Sequence, residues 1–309
     1  MKSSITLLLL FFLCSLSSSA QFDAQEYPFG SRGRANEQRG AFLWHSETAN
    51  TAARKSGNLS LVGATRYGLT STLELSTHLA FDYWIPNISL KKIWRRDDWV
   101  VSSRHALASA TPGMQWARRH RHFDLVTDEP VPFILSSTNE LLVSRPFIDR
   151  QGCNGPQPWL ILTASASVSF GVPFGGYDGG EMQAHFLANR GEAFTGQGLY
   201  GCVKARADWQ MLPYTILRGG LRYYAGSFSG THSVELDAAL EYFLLSRVSV
   251  SGGCMFSMAG YQGLNRIGFL PFVDLSWYFG RHDALQTGLF ETDVIKSISR
   301  KKRRSLFGL

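Results

Sequence analysis

Beyond its first twenty residues the chain has no uninterrupted apolar run long enough for a membrane-crossing helix, which needs about 20 such residues. Cysteine is scarce as well, with four in 309 residues. Cys14 lies in the leader, so Cys153, Cys202 and Cys254 remain, an odd set that excludes a closed disulfide framework. Cys202 and Cys254 fall on opposite faces of their strands, which makes a bridge between them geometrically poor, and the spacing fits no metal motif. Free thiols are the expectation, with no metal and no cofactor. Charge is modest at 18% of residues, and the formal +7 is local. Residues 281 to 309 carry seven Lys or Arg against three acids, and Lys2 is in the leader, so the rest nets about +2. No basic face is tied to a binding fold, which argues against a nucleic-acid partner.

What the chain does have begins with an export signal. Lys2, the apolar run Ile5 to Leu16 and the small residues Ser17-Ser18-Ser19-Ala20 before Gln21 form a secretory signal peptide, residues 1–20. Leu13 before Cys14 is not the small residue that a lipoprotein cleavage site needs. Residues 21–39 are polar and read as a flexible N-terminal segment, 40–280 as one β-domain, and 281–309 as a basic tail.

The domain is organised around Pro213 to Leu245. On its first arm Leu217, Leu221 and Tyr223 alternate with Arg218 and Arg222; on its second, Val234, Leu236, Leu240 and Tyr242 alternate with Glu235, Asp237 and Glu241. Strand side chains alternate with period two, so ions take one face and bulky apolar groups the other. A two-residue turn at Ser229-Gly230 would set Arg222 opposite Asp237 and Arg218 opposite Glu241. Similar strands are expected at 57–67, 72–83, 87–94, 99–108, 133–145, 158–170, 198–209, 247–259 and 266–280. That makes eleven.

A soluble sandwich also alternates, with its apolar face turned inward. Two features favour the opposite orientation. Tight turns at 68–71, 95–98, 210–213 and 244–247 alternate with connections that include long ones at 109–132 and 171–197, as in up-and-down outer-membrane barrels; the link at 146–157 is too long for that rule. Strands of 11 to 15 residues suit a tilted membrane crossing, whereas sandwich strands are usually about 5 or 6. The fold class expected is all-β, an up-and-down antiparallel transmembrane barrel of about 12 strands, with 10 to 14 open. Weakly alternating Gly40 to Thr51 serves as the twelfth strand, because single-chain bacterial barrels generally have an even number.

The blocks TRYGLTSTLELSTHL, IPNISLKK, TPGMQWAR and VPFILSSTNELLVS resemble a family of outer-membrane β-barrel proteins from Bacteroidota-type Gram-negative bacteria. The resemblance is best over residues 50–145. It implies a fold and a location, and no reaction or ligand. The end of the last strand, Trp277-Tyr278-Phe279, resembles the aromatic signal read by the barrel insertion machinery, although about thirty residues follow it.

In this orientation Trp159, Trp209, Trp277, Tyr223 and Tyr242 are candidates for interfacial girdles. The lumen would hold Glu74, His78, Glu140, Lys204, Arg206, Asp208, Arg218, Arg222, Glu235, Asp237, Glu241 and Asp274. Such a ring of ions either filters solutes at a constriction or fills the interior with pairs that neutralise each other. The functions that follow are a small-solute pore or a structural membrane component, with a membrane-embedded hydrolase of lipid or peptide as the alternative and a secreted soluble β-protein as the third. No nucleophile motif supports the hydrolase. His45-Ser46 and His232-Ser233 are neighbours in assumed strands and so face opposite ways, while His78 shares a face with Glu74 and Ser76. Expected partners are outer-membrane lipids, including lipopolysaccharide, and the insertion machinery; the loop run Arg118 to His122 reads as a solvated loop first and as a lipopolysaccharide contact second. The tail, with Leu285, Leu289, Phe290 and Ile298 near helical spacing, could form an amphipathic helix that meets a periplasmic partner, or remain a disordered basic tail.

Overall fold

The computed structural model describes residues 42–120, 132–149, 157–175, 199–212, 214–226, 232–245, 247–261 and 264–280. The expected signal peptide, the segment 21–39, the basic loop at 121–122 and the tail 281–309 lie outside the described residues.

Twelve antiparallel strands close into a barrel in sequence order. They are β1 (Gly57–Ser60), β2 (Thr65–Gly68), β3 (Leu73–Thr77), β4 (Asn87–Arg96), β5 (Val100–Ala108), β6 (Phe133–Asp149), β7 (Gln157–Phe174), β8 (Leu199–Leu212), β9 (Thr215–Gly226), β10 (His232–Leu245), β11 (Val248–Tyr261) and β12 (Leu264–Phe279). β1 closes the ring on β12, with Leu59 opposite Trp277. Among the described residues two helices stand in connections: α1 (Leu79–Asp82) and α2 (Thr111–His120).

The count of twelve is reached differently from the sequence reading. Residues 57–67 are not one strand but the hairpin β1–β2, and residues 42–56 contain no strand of the barrel. The strand expected at 72–83 stops at Thr77, where Asp82 accepts from the Thr77 hydroxyl at 2.9 Å and from the Asn87 side chain at 2.7 Å, folding the chain into α1. The connection from Thr111 opens with α2 rather than a loop. The over-long link at 146–157 resolves because β6 and β7 run on to Asp149 and from Gln157.

The strand ends sort into two rims. At the turn end lie 69–72 and 97–99 and the facing ends of β6 and β7, β8 and β9, and β10 and β11, with the start of β1 and the finish of β12. At the loop end lie 61–64 and 78–86 and the facing ends of β5 and β6, β7 and β8, β9 and β10, and β11 and β12.

The orientation of the faces is decisive. Val273 is 70% exposed, Ile267 67% and Leu236 50% on the outside, while Glu74, Glu235 and Glu241 are buried within the ring. Trp94, Trp99, Trp159, Trp209, Trp277 and Tyr242 are exposed on the outside towards the turn end. Tyr223 and the Phe133–Phe174 pair, with centroids 5.7 Å apart, stand towards the loop end. Closing the sheet pairs the backbone groups that hydrocarbon cannot satisfy, and aromatic rings collect where hydrocarbon meets headgroups. No helix among the described residues is long and apolar enough to cross a membrane.

The central hairpin keeps its faces but not its register. Arg222 pairs with Glu235, Gly220 with Asp237 and Arg218 with Ala239, a shift of two residues from the expected pairing. A shift of two preserves which side chains face inward, and a shift of one would have inverted them. The expected Ser229-Gly230 turn lies outside the described residues.

Candidate functional site

The lumen is where the charged side chains meet, and the chain brings its own occupant. Residues 42–56 enter from the turn end, reach mid-height at Glu47 and return to β1. Phe42, Leu43, Trp44, Ala49 and Asn50 are buried inside the ring. The segment has almost no regular structure of its own, and several of its backbone groups are satisfied by wall side chains. Arg66 donates to the Trp44 carbonyl at 2.7 Å, Lys91 to the Asn50 carbonyl at 3.2 Å, the Ala49 amide to Ser144 Oγ at 2.8 Å and the Ala52 amide to Glu74 at 2.6 Å. Phe42 stacks on Phe243 at 5.3 Å and lies 4.2 Å from the Tyr278 ring. Gly68 lets the returning chain approach: a Cβ there would lie 2.1 Å from the Ala53 carbonyl oxygen.

Around this plug the wall ions pair with one another. Along β8, β9 and β10 runs a ladder of alternating sign, Glu235–Arg222–Asp237–Arg206–Asp208–Arg218–Glu241, with N–O separations of 2.5 to 3.7 Å. Gly220 leaves room for one rung, since a Cβ there would stand 2.8 Å from Asp237 Oδ1. Glu241 is also bound by the hydroxyls of Ser249 and Tyr278, at 2.5 and 2.7 Å. Across the lumen Glu74 accepts from Arg66 at 2.6 Å and meets Lys91 at 3.1 Å.

The third cluster includes the plug. Arg104 grips Glu140 through Nε and Nη2, and Lys204 meets the same carboxylate at 3.0 Å. Their remaining donors turn to Glu47: Arg104 Nη1 lies 2.9 Å from Oε1 and Lys204 Nζ 3.3 Å from Oε2. Burial opposes ionisation of Glu47, but Arg104, Lys204 and Arg222 outweigh it and hold the carboxyl well below its usual range. Beside it, burial first, then Arg218, Arg206 and Arg66, push His45 well below its ordinary value and keep it neutral.

Among the described ion-paired residues of the lumen there are seven wall cations, Arg66, Lys91, Arg104, Lys204, Arg206, Arg218 and Arg222. They face six wall acids, Glu74, Glu140, Asp208, Glu235, Asp237 and Glu241. Glu47 is the seventh acid and completes the match. Asp274, also inside, is held by Ser60 Oγ at 2.6 Å and the Val62 amide at 2.8 Å.

The fold is that of an outer-membrane-type β-barrel. No family model and no curated protein matches the sequence. Among solved structures the chain is similar to the outer-membrane expressed OmpT of Vibrio cholerae, with a TM-score of 0.39, 8% identity, and coverage of 70% of this chain and 64% of that one. It is also similar to the loop L8 deletion mutant of OmpT, with a TM-score of 0.38, 9% identity, and coverage of 70% and 62%. The chain thus spans less than two thirds of the length of either.

Of the residues expected in the lumen, Glu74, Glu140, Lys204, Arg206, Asp208, Arg218, Arg222, Glu235, Asp237, Glu241 and Asp274 are there. His78 is not. With β3 ending at Thr77, it stands exposed at the loop end, its backbone amide donating to Asn87 Oδ1 at 3.0 Å. It therefore forms no face with Glu74 and Ser76. The premise for setting aside His45-Ser46 also fails, because the pair lies in the plug rather than a strand, and Ser46 Oγ is 3.1 Å from His45 Nδ1. Ser46 is nonetheless fully enclosed in this conformation. The sequence reading missed Arg66, Lys91, Arg104 and Glu47. Alternation could have found the first three, since Arg66 sits between outward Thr65 and Tyr67, and Lys91 between outward Leu90 and Lys92. Nothing periodic marks Glu47.

Cys202 and Cys254 form no disulfide with each other: Cys202 faces the lumen beside Tyr200 and Tyr224, and Cys254 is half-buried.

Proposed function

We propose that this chain is an outer-membrane barrel of a Gram-negative bacterium that acts as a plugged conduit for small polar solutes, with residues 42–56 as the plug. The observation that supports it most is the nature of the occupant. A lumen filled for rigidity alone is commonly packed with side chains of its own wall; here much of the turn-end half is occupied by residues 42–56, a segment that is no strand of the wall and runs into it at Gly57. Its polar contacts are hydrogen bonds and ion pairs to wall side chains, which water and solutes can replace one by one, and its apolar anchor is Phe42 against Phe243 and Tyr278.

In this reading the turn end faces the periplasm and the loop end the exterior, where lipopolysaccharide surrounds the connections. The barrel insertion machinery delivers the protein after export, and the basic tail is available to a periplasmic partner. Lys92 lies 4.3 Å over the Trp94 ring and Arg145 5.2 Å over that of Trp99, outside the ring near the turn end, placing cations where inner-leaflet phosphates would lie.

Planar-bilayer recording tests this reading. The wild-type protein should be closed for most of the record. A full-length Phe42→Ala/Trp44→Ala/Glu47→Ala variant should open often, because it loses the aromatic anchor and the tip carboxylate together. If this variant shows the heat-modifiable migration of a folded barrel yet passes no current, the conduit reading is wrong and the plug is a structural filler.

A further inference from the structure

We infer that the Arg104–Lys204 pair is a binding site for a small carboxylate solute, and that Glu47 occupies it as a captive ligand. The inference rests on the plugged-conduit reading, and the plug's geometry carries it further. Each carboxylate oxygen of Glu47 takes one donor, Oε1 from Arg104 at 2.9 Å and Oε2 from Lys204 at 3.3 Å. Both cations are already anchored on the other side by Glu140, which also accepts from Ser165 Oγ at 2.6 Å. Arg104 and Lys204 therefore do not depend on the plug for their positions. Two donors held by the wall and aimed at one carboxylate form a pre-organised anion site.

Withdrawal of the plug would leave the paired network one acid short, with the deficit located at these two donors. The tip also adjoins a cavity of about 10 Å³, lined by Glu47, Ser165, Lys204, Arg206, Arg222 and Asp237. That is room for about one water. A carboxylate therefore enters only in place of Glu47, and the space its side chain vacates limits the ligand to a few heavy atoms. An incoming carboxylate would compete directly for the donors that hold the tip. Ligand binding and plug release would then be one event.

Glu47 is tethered, so it competes at an effective concentration in the millimolar range or above. Free ligand must be supplied accordingly. The test uses full-length protein in planar bilayers, with about 10–300 mM acetate replacing chloride at constant ionic strength. Wild type should open more often as acetate rises, by about tenfold or more, the scale set by one charge-assisted hydrogen bond. Lys204→Gln, which leaves the Arg104–Glu140 pair in place, should open readily and lose the acetate response. The Phe42→Ala/Trp44→Ala/Glu47→Ala variant should lose that response too, but show brief acetate-dependent blocks of its chloride current.

Absence of current in the folded triple variant would overturn the conduit reading. Current in the triple variant without acetate blocks, together with a wild type that responds equally to acetate and chloride, would overturn the carboxylate site and leave the conduit standing. An acetate response that survives Lys204→Gln would also overturn the assignment, by placing the site elsewhere. Should Lys204→Gln not insert, the comparison of acetate with chloride on the wild type decides alone.

Discussion

Glu74→Ala should destabilise both the barrel and its plug. The carboxylate is fully buried, accepts from Arg66 Nη2 at 2.6 Å and Nε at 3.0 Å, lies 3.1 Å from Lys91 Nζ, and takes the Ala52 amide of the plug at 2.6 Å. Crediting each contact with about 1.5–3 kcal/mol would overcount, because the contacts share one acceptor. The better guide is the cost of leaving buried charge uncompensated. Removing one partner of a buried pair costs about 3–5 kcal/mol. Arg66 and Lys91 are both left behind, nearly inaccessible to water, so the upper part of that range applies. With a urea slope of about 1–3 kcal/mol per molar, the unfolding midpoint in detergent should fall by roughly 1–3 M. Glu74→Gln keeps an acceptor for the Ala52 amide while losing the charge, and should fall between wild type and Glu74→Ala. Adding Lys91→Met to Glu74→Ala should recover part of the loss, since one unpaired cation is removed with its partner. If Glu74→Ala unfolds within about 0.5 kcal/mol of wild type, the scale of ordinary surface changes, the lumen is wet enough to screen these ions and the reasoning fails.

Phe42→Ala removes the ring between Phe243 and Tyr278, and truncations of buried Phe cost about 3–5 kcal/mol; spontaneous opening in bilayers should rise at least tenfold while barrel unfolding changes little. Acidification should loosen the plug through His45. Burial, with Arg218, Arg206 and Arg66 facing it and only Glu47 opposing them, holds this ring neutral well below its ordinary 6.5. Docking therefore keeps its full strength above pH 6.5 and loses up to about 2 kcal/mol by pH 5. Glu47, whose carboxyl is also depressed, adds loss only further down, below the ordinary 4.5. Opening frequency should rise between pH 7 and 5 in wild type and stay flat in His45→Gln.

The faces of the barrel were legible because they obey a local rule. Leu217, Leu221 and Tyr223 alternate with Arg218 and Arg222, and no tertiary choice can put neighbours in a strand on the same side. Register was less legible. It depends on the connection at 227–231, and an offset of two satisfies the same alternation as none. The twelfth strand was credited to the wrong stretch. Ser60 to Thr65 turns sharply through Gly63, where a Cβ would lie 2.7 Å from Ser60 Oγ, and nothing in the alternation of 57–67 distinguishes one long strand from two short ones. The plug was the least legible element. Its partners, Arg66, Lys91, Ser144 and Lys204, are 22 to 157 residues away in sequence. A segment whose backbone is bonded to distant side chains leaves no period to read. His78 was misplaced for a related reason: Asp82 and Asn87, not alternation, decide where β3 ends.

The most direct test of the whole account is the solvent that each face of the barrel meets. A nitroxide at Val273, replaced by cysteine in a background without other cysteines and reconstituted in phospholipid vesicles, should relax strongly with dissolved oxygen, which concentrates in hydrocarbon. It should relax weakly with a polar nickel chelate, and a label at Ser233 on the inner face should show the weaker oxygen response of the two. Strong chelate access at Val273, with protected oxygen-rich surroundings at Ser233, would mean that the apolar face meets water and that this is not a membrane barrel.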